Sequence, residues 1–205
     1  MDTQLIQRFF TELDQEFGRP AEVIITGAAA GALMGHIRPS TDIDFEIRSS
    51  ASDASDKDRQ DMENAVSMVS ERMKIAVNFS EDISHWSMID LLDYRKTARD
   101  YKKIGRLKIK ILAPEYWTIG KMGRFVELDI IDIKEIIKNK KIKSDKLIKL
   151  WAKAIKMSPM SLAKRDFKDH VLYFLSKYGK EVWGKRYDSN KAVQSFLDMI
   201  KPDRP

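Results

Sequence analysis

One stretch of the chain, residues 23–47, restricts the possible folds more than any other. It reads VIITGAAAGALMGHIRPSTDIDFEI: a β-rich run enters a turn at Gly27, small residues follow, and a second strand carries Asp42 and Asp44. Successive side chains of a strand point to opposite faces, so both aspartates point one way while the intervening Ile43 points into the core. The stretch therefore predicts two neighbouring carboxylates at a strand edge, and such pairs bind hard divalent cations.

The small residues between the two strands, from Ala28 to Met34, permit a close approach of backbone segments. If they form a short helix, its first N–H groups are oriented to hold an anion such as a triphosphate. A tightly packed helix without a ligand explains the same composition. Arg38, four residues before the first aspartate, is predicted to pair with the carboxylates or with a phosphate.

Composition indicates a soluble globular protein: 205 residues, of which 43% are hydrophobic and 33% are charged. There is no cysteine, which excludes disulfides and thiolate zinc sites and favours a reducing compartment. The N-terminal sequence lacks the pattern of a secretory signal, and no apolar run is long enough for a membrane span. We therefore expect a cytoplasmic protein that does not bind membranes.

Charge is divided unequally along the chain. Residues 1–94 carry 8 Lys and Arg against 18 Asp and Glu, whereas residues 95–205 carry 29 against 13. An acidic front half with paired aspartates and a basic back half suit an enzyme that binds a polyanion. Solvated helix faces are the alternative explanation for any single run of lysines.

Hydrophobic periodicity predicts an α+β fold, a mixed sheet flanked by helices with a helical C-terminal part. The predicted domains are residues 1–115, which hold the carboxylates, and residues 116–205, which are basic and helical. The predicted elements of the first are helices at 3–17 and about 62–73 and strands at 22–26, 42–47, 74–80, 86–92 and 107–112.

In the second half, proline and capping residues mark the expected helix starts. Pro114 opens one helix, Asp129 and Ser144 are predicted to cap two more, and Ser158-Pro159 starts another that reaches Gly179. A last helix is predicted to start at Asp188 or Ser189. The four tryptophans are expected in the core. The three histidines, His36, His85 and His170, lack the spacing of metal ligands.

A glycine turn followed about thirteen residues later by Asp-hydrophobic-Asp-hydrophobic resembles the signature of the nucleotidyltransferase superfamily, which has the DNA polymerase β fold. Within it, the chain resembles the minimal nucleotidyltransferases of toxin–antitoxin systems, specifically the abortive-infection type IV toxins. The resemblance covers roughly residues 20–135. The residues that carry it are Gly27-Ala28, Gly35, Arg38, Thr41, Asp42-Ile43-Asp44-Phe45, Lys121, Arg124, Asp129 and Asp132.

The resemblance implies transfer of a nucleoside monophosphate from a nucleoside triphosphate to a hydroxyl. It implies that Asp42 and Asp44 bind Mg²⁺ or Mn²⁺, with Asp90 as the candidate third metal ligand. Lys121 would hold the triphosphate, and Asp129 would orient Lys121 or contact the nucleotide. The nucleotide-binding residues would be Gly27, Ala28, Arg38, Thr41 and Lys121.

In the toxin relatives the acceptor is an RNA, often a tRNA, so an RNA acceptor and a cognate antitoxin or toxin protein are the implied partners. A second hypothesis is a catalytically silent module of the same fold that binds RNA or a partner protein, as an antitoxin would. It is motivated by Ala28, where the family usually has Gly or Ser, and by the lack of an unambiguous counterpart of the family's third carboxylate, for which Asp90 is the candidate. The site residues also have purely structural explanations: Asp42 and Asp44 as a solvated strand end, Asp129 as a helix cap, Lys121 as an ordinary surface lysine and Asp90 as a non-catalytic residue.

Overall fold

The structure is a computed structural model that describes residues 2–35, 41–50, 55–84, 86 and 88–201. Its contacts divide the chain into two compact units. The first contains the chain up to Ile83 together with Arg95–Ala113, and the second contains Ser84–Tyr94 together with the chain from Pro114 onward. The predicted domain boundary after residue 115 stays a prediction, because contacts alone do not show which segments fold independently.

The first unit is built on a five-stranded mixed sheet, and the predicted α+β fold is confirmed. The strand order is β3-β2-β1-β5-β4. Neighbouring strands pair in parallel in β1–β5 and β2–β3 and antiparallel in β1–β2 and β4–β5. The strands are β1 (Ala21–Thr26), β2 (Asp42–Ser49), β3 (Ala76–Ser80), β4 (Arg99–Ile104) and β5 (Leu107–Ile111).

Four helices come before β4: α1 (Thr3–Phe17), α2 (Gly27–Leu33), α3 (Asp56–Met73) and α4 (Tyr94–Thr97). The start and the end of α1 agree with the sequence, since the Asp2 carboxylate accepts from the Leu5 amide and Gly18 ends the helix in the left-handed conformation. Phe9 and Phe10 of α1 contact Phe45 of β2, with ring centroids 6.0 and 5.4 Å apart. Helix α1 therefore covers the apolar face of the sheet.

The opposite face of the sheet is largely polar. Asp42, Asp44 and Glu46 alternate on β2 with the fully buried Ile43 and Phe45, so the acids lie on the face that α1 does not cover. The fold thus places the carboxylate pair on a polar sheet face, on a strand whose other side is fixed in the hydrophobic core.

The second unit contains six further helices: α5 (Pro114–Arg124), α6 (Glu127–Asn139), α7 (Ser144–Met157), α8 (Leu162–Lys177), α9 (Gly179–Trp183) and α10 (Ser189–Ile200). Trp151 is at the centre of their core: its ring lies 5.9 Å from that of Phe174, and its Nε1 donates to Thr118 Oγ1 at 3.0 Å. The core positions predicted for Trp117 and Trp151 are confirmed. Trp183 is half-buried, and the prediction is wrong for Trp86, which is 43% exposed.

The strand predicted at residues 86–92 is wrong. The described residues of this segment form turns and bends, with Met88 and Asp93 at positive φ. Ile89 and Leu91 are buried nonetheless, so their alternate burial imitates a strand pattern. Strand β4 was not predicted, because its sequence RDYKKI is polar; it is an edge strand, where lysines are common.

Three predicted helix starts are also wrong. The N-cap of α6 is Val126, and Asp129 is the third residue of the helix. Ser144 is the first residue of α7 rather than its cap, and α8 is capped by Ser161, three residues later than Ser158-Pro159 predicts. Asp188 does cap α10, as predicted. Within the part of the chain that the structure describes, no helix combines the length and apolarity needed to cross a bilayer.

Candidate functional site

The two aspartates of β2 are linked by an amide from the neighbouring strand. Asn78 of β3 lies directly opposite Asp44 in the parallel β2–β3 register. Its Nδ2 donates to Asp44 Oδ1 at 2.8 Å and to Asp42 Oδ2 at 3.1 Å. The amide therefore holds the two carboxylates side by side and offsets part of the repulsion between their charges.

A glycine fixes the position of one carboxylate from a third element. Gly27 follows the end of β1, where Thr26 pairs with Asp44 in the β1–β2 register. It has a φ of 59°, which favours glycine, and a Cβ at this position would lie 1.8 Å from Asp44 Oδ2. The glycine predicted from the sequence as a turn residue is thus also the only residue type that leaves room for the Asp44 carboxylate.

The third acid of this face, Glu46, is a structural residue. It is buried and receives two hydrogen bonds from the guanidinium of Arg95, from Nε to Oε1 at 2.7 Å and from a terminal nitrogen to Oε2 at 3.1 Å. The backbone amide of Ile83 donates to the same carboxylate at 3.3 Å. Because its charge is compensated by Arg95 within the first unit, Glu46 does not extend the carboxylate pair.

The carboxylates of Asp42 and Asp44 fit Mg²⁺, a hard cation that binds oxygen and usually takes only one or two protein carboxylates, with waters and phosphates completing its coordination. Asn78 is not one of the ligands, because its Nδ2 faces the carboxylates. Among the described residues, no group of three or more His, Asp and Glu side chains is arranged to hold a metal ion. The predicted third ligand, Asp90, belongs to the second unit and lies outside any strand; its backbone amide donates to Ser158 Oγ at 2.9 Å. A metal ligand role for Asp90 stays a prediction.

Lys121, the predicted triphosphate-binding lysine, is buried in an ion-pair cluster of the second unit. Its side chain is 4% exposed, and its Nζ lies 2.7 Å from Asp132 Oδ2 and 3.1 Å from Asp129 Oδ1. The same ammonium lies 4.9 Å from the centre of the Trp117 ring. Both aspartates are only 1% exposed, so the lysine charge is compensated inside the unit.

Arg124 completes the cluster from the solvent side. Its guanidinium makes two hydrogen bonds to Asp129, at 2.8 and 3.1 Å, while its own side chain is 65% exposed. Asp129 thus receives both cations, and the two basic and two acidic residues sum to zero charge. The predicted contact between Asp129 and Lys121 is present, whereas the shorter contact of Lys121 with Asp132 was not predicted.

The structure places the predicted site residues in both units. Asp42 and Asp44 are in the first unit, where Gly27 and Ala28 open α2 and Thr41 is exposed just before β2. Lys121, Asp129 and Asp90 are in the second unit, and Arg38 lies outside the described residues. The small residues between the two strands form the short helix α2, the condition under which an anion at its first turn was considered, and that anion site stays a prediction.

Sequence reasoning missed Asn78. The available signal was a polar residue in the middle of a short apolar strand, since Asn78 lies between Val77 and Phe79. Asn78 lies on the same face of the sheet as the two aspartates, and this can be recognised only when the register of β3 against β2 is known. The position beside the pair is occupied by an amide rather than by an acid.

Comparisons with models of known families, with curated proteins and with solved structures find no match to this chain.

Proposed function

We propose that the protein is a Mg²⁺-dependent nucleotidyltransferase that transfers a nucleoside monophosphate from a nucleoside triphosphate to a hydroxyl of an RNA. One observation carries the proposal: Asp42 and Asp44 stand side by side on β2, joined by the Asn78 amide at 3.1 and 2.8 Å. The sequence resemblance to nucleotidyltransferases supports it, because the same two aspartates carry that resemblance. Mn²⁺ is the alternative cation.

In the proposed reaction the acceptor hydroxyl loses its proton to solvent and its oxygen forms a bond to the α-phosphorus. The bond from that phosphorus to the oxygen bridging to the β-phosphorus breaks, and pyrophosphate leaves with the electron pair. When bound, the divalent ion neutralises charge on the triphosphate and makes the acceptor hydroxyl easier to deprotonate. The contribution of the chain is to hold two carboxylates at a fixed separation. Before any ligand arrives, Asn78 hydrogen-bonds both carboxylates and Gly27 leaves the space that the Asp44 carboxylate occupies.

The RNA acceptor in this proposal is supported by charge. Residues 95–205 carry 29 Lys and Arg against 13 Asp and Glu. Such an excess favours binding of a polyanion whose phosphates release counterions on contact. A tRNA as acceptor, and a cognate antitoxin or toxin as a protein partner, rest on the resemblance to the minimal toxin–antitoxin enzymes alone.

A second candidate function is a catalytically silent module that binds RNA or a partner protein. The observation that favours it is the burial of Lys121, whose ammonium is already paired with Asp129 and Asp132. A lysine in this state has its charge satisfied within the helical unit, and its removal would leave a buried carboxylate without a cation whether or not a nucleotide binds. In a silent module, calorimetry detects no Mg²⁺-dependent binding of any nucleoside triphosphate, while RNA still binds.

The test of transfer uses each of the four α-³²P-labelled nucleoside triphosphates with total RNA, in Mg²⁺ or Mn²⁺. Wild type is compared with Asp42→Asn and Asp44→Asn, which keep the size of the side chains and remove their charge. Asp100→Asn, an exposed acid on strand β4 of the same sheet, is the matched control.

We expect labelled RNA with wild type and with Asp100→Asn, and a loss of at least about a hundredfold with either substitution of the pair, since removal of one charged group at a transfer site costs several kcal/mol. Absence of transfer with every nucleotide, or equal transfer by the Asp42 and Asp44 variants, overturns the proposal.

A further inference from the structure

Two segments of the second unit carry a dense positive charge. Residues 134–143 contain five lysines and one glutamate, and residues 180–186 contain three basic residues and one glutamate. Together they hold eight basic residues against Glu135 and Glu181, a net charge of +6, which equals the formal net charge of the whole chain. We name residues 134–143 and 180–186 the basic surface.

The two segments are joined by direct contacts. Trp183 Nε1 donates to the carbonyl oxygen of Ile142 at 2.9 Å, which fixes the end of α9 to the turn between α6 and α7. Glu181 accepts from Lys138 at 3.1 Å and from Lys134 at 3.2 Å. The basic surface is therefore one continuous region, and two of its lysines share a single acid.

The turn between α6 and α7 is held by backbone hydrogen bonds and presents its lysines to solvent. The backbone amides of Lys140, Lys141 and Ile142 donate to carbonyls of the last turns of α6, at 3.0 to 3.2 Å. Ile142 is 5% exposed and anchors the turn, whereas Lys140, Lys141 and Lys143 on either side of it are exposed. A hydrogen-bonded backbone holds the three lysines close together, which lowers the entropic cost of bringing them to one polyanion.

The chemistry of the basic surface favours a phosphate backbone. Of the described residues with large exposed apolar side chains, none lies in the basic surface, so nothing there would insert into a lipid layer. The ring of Trp183, in the basic surface, already stacks on that of Tyr187, with centroids 4.9 Å apart. Charge without free stacking rings suits contacts to phosphates rather than to bases.

We infer that the basic surface binds the phosphate backbone of RNA, independently of base sequence. Its residues lie entirely in the second unit, so the binding does not require the carboxylate pair. The inference rests on the proposed function only for the choice of RNA over DNA, and it identifies where the acceptor is held.

The test measures binding of a fluorescent single-stranded RNA of about 30 nucleotides in EDTA without nucleotide, over a range of salt concentrations. A triple variant, Lys140→Gln with Lys141→Gln and Lys143→Gln, should bind about tenfold more weakly at about 0.1 M salt. The slope of log K against log salt should become shallower by about 2, since each phosphate contact to a single strand contributes roughly 0.7. Circular dichroism verifies that the variant is folded.

Two further variants make the test specific. Lys57→Gln with Lys74→Gln and Lys103→Gln removes the same charge from the first unit, and its affinity should stay within about twofold of wild type. Glu181→Gln removes the acid that Lys134 and Lys138 share, so its RNA affinity should rise about two- to threefold.

The inference is overturned if wild type does not bind RNA at low salt, if both triple variants lose equal affinity, or if phosphatidylserine vesicles bind and RNA does not. Duplex DNA bound as tightly as RNA overturns the choice of RNA and leaves the backbone contact in place. Asp42→Asn should bind RNA like wild type, so failure of nucleotidyl transfer and failure of this inference give different results.

Discussion

The Cα of Gly27 lies against the carboxylate of Asp44, so closely that a Cβ at position 27 would be 1.8 Å from Oδ2 and 2.7 Å from Cγ. The first residue of α2 and an acid of β2 therefore occupy adjoining space, and the glycine turn and the Asp-Ile-Asp run of the sequence form one structural unit.

Gly27→Ala should displace the Asp44 carboxylate and abolish nucleotidyl transfer. The matched control is Gly18→Ala, since Gly18 has a similar φ of 66° but no atom within 4 Å of its Cβ position. Both variants should lose about 1–2 kcal/mol in the free energy of unfolding because of the left-handed backbone. Only Gly27→Ala should lose transfer, measured with the labelled-nucleotide assay; retained transfer would contradict the role of this contact.

Asn78→Asp should make the stability of the protein depend on divalent ions. A third carboxylate opposite Asp44 removes two hydrogen bonds and adds like-charge repulsion, so the melting temperature in EDTA should fall below that of wild type. Addition of about 10 mM Mg²⁺ should restore much of the difference, because the cation binds the native state. Asn78→Ala is the control: it loses the same two hydrogen bonds without adding a charge, so its gain in melting temperature on addition of Mg²⁺ should be smaller than that of Asn78→Asp. If Mg²⁺ does not raise the melting temperature of Asn78→Asp, no cation binds between these side chains.

Lys121→Met should be among the most destabilising single substitutions of the chain. It leaves Asp132 buried without its cation, which typically costs about 3–5 kcal/mol in the free energy of unfolding. Arg124→Gln should cost only about 1 kcal/mol, because its side chain is 65% exposed and Asp129 keeps Lys121. Urea denaturation measures both.

The double variant Lys121→Met with Asp132→Leu removes both charges of the buried ion pair and so tests whether stability is recovered. Removing both charges should recover part of the stability lost by Lys121→Met alone, since a buried ion pair is often replaceable by apolar groups. If the double variant is less stable than the sum of the single variants predicts, loss of the ion pair does not account for the stability lost by Lys121→Met.

Glu181 should give the folded protein a pH-dependent stability. Hydrogen bonds from Lys138 and Lys134 hold the pKa of Glu181 below its ordinary value of 4.5. A carboxylate with a lowered folded-state pKa stabilises the protein above its unfolded-state pKa, and this contribution is lost as pH falls through the folded-state pKa. The melting temperature of wild type should therefore exceed that of Glu181→Gln at pH 7, and the difference should shrink below about pH 4. A constant difference across this range would contradict the prediction.

Sequence patterns predicted the elements whose signals are local. Leu5, Phe9, Leu13 and Phe17 define α1 by their spacing, and Asp2 and Gly18 bound it. The side-by-side position of Asp42 and Asp44 was predicted from the alternation of side chains along a strand. These features depend on a few consecutive residues, which is the distance over which propensity and capping act.

The sequence predictions failed where contacts between residues far apart in the chain determine the structure. Asp129 has the local signal of a helix cap, yet it is buried because Lys121 and Arg124 arrive from α5. Ile89 and Leu91 alternate as in a strand, although the backbone turns at Met88 and Asp93. The role of Asn78 required the pairing of β3 with β2, and no pattern within either strand specifies that register.

The chain leaves the first unit after Ile83, contributes Ser84–Tyr94 to the second, and returns for Arg95–Ala113. Within the second unit, this excursion supplies the Asp90 amide that donates to Ser158 and the Asp93 carboxylate that pairs with Lys153 at 3.2 Å. A recombinant fragment starting at residue 116 would therefore lack an internal segment of its own unit. Neither unit is a continuous piece of the gene, so recombination or truncation at a single junction cannot transfer one intact without the other.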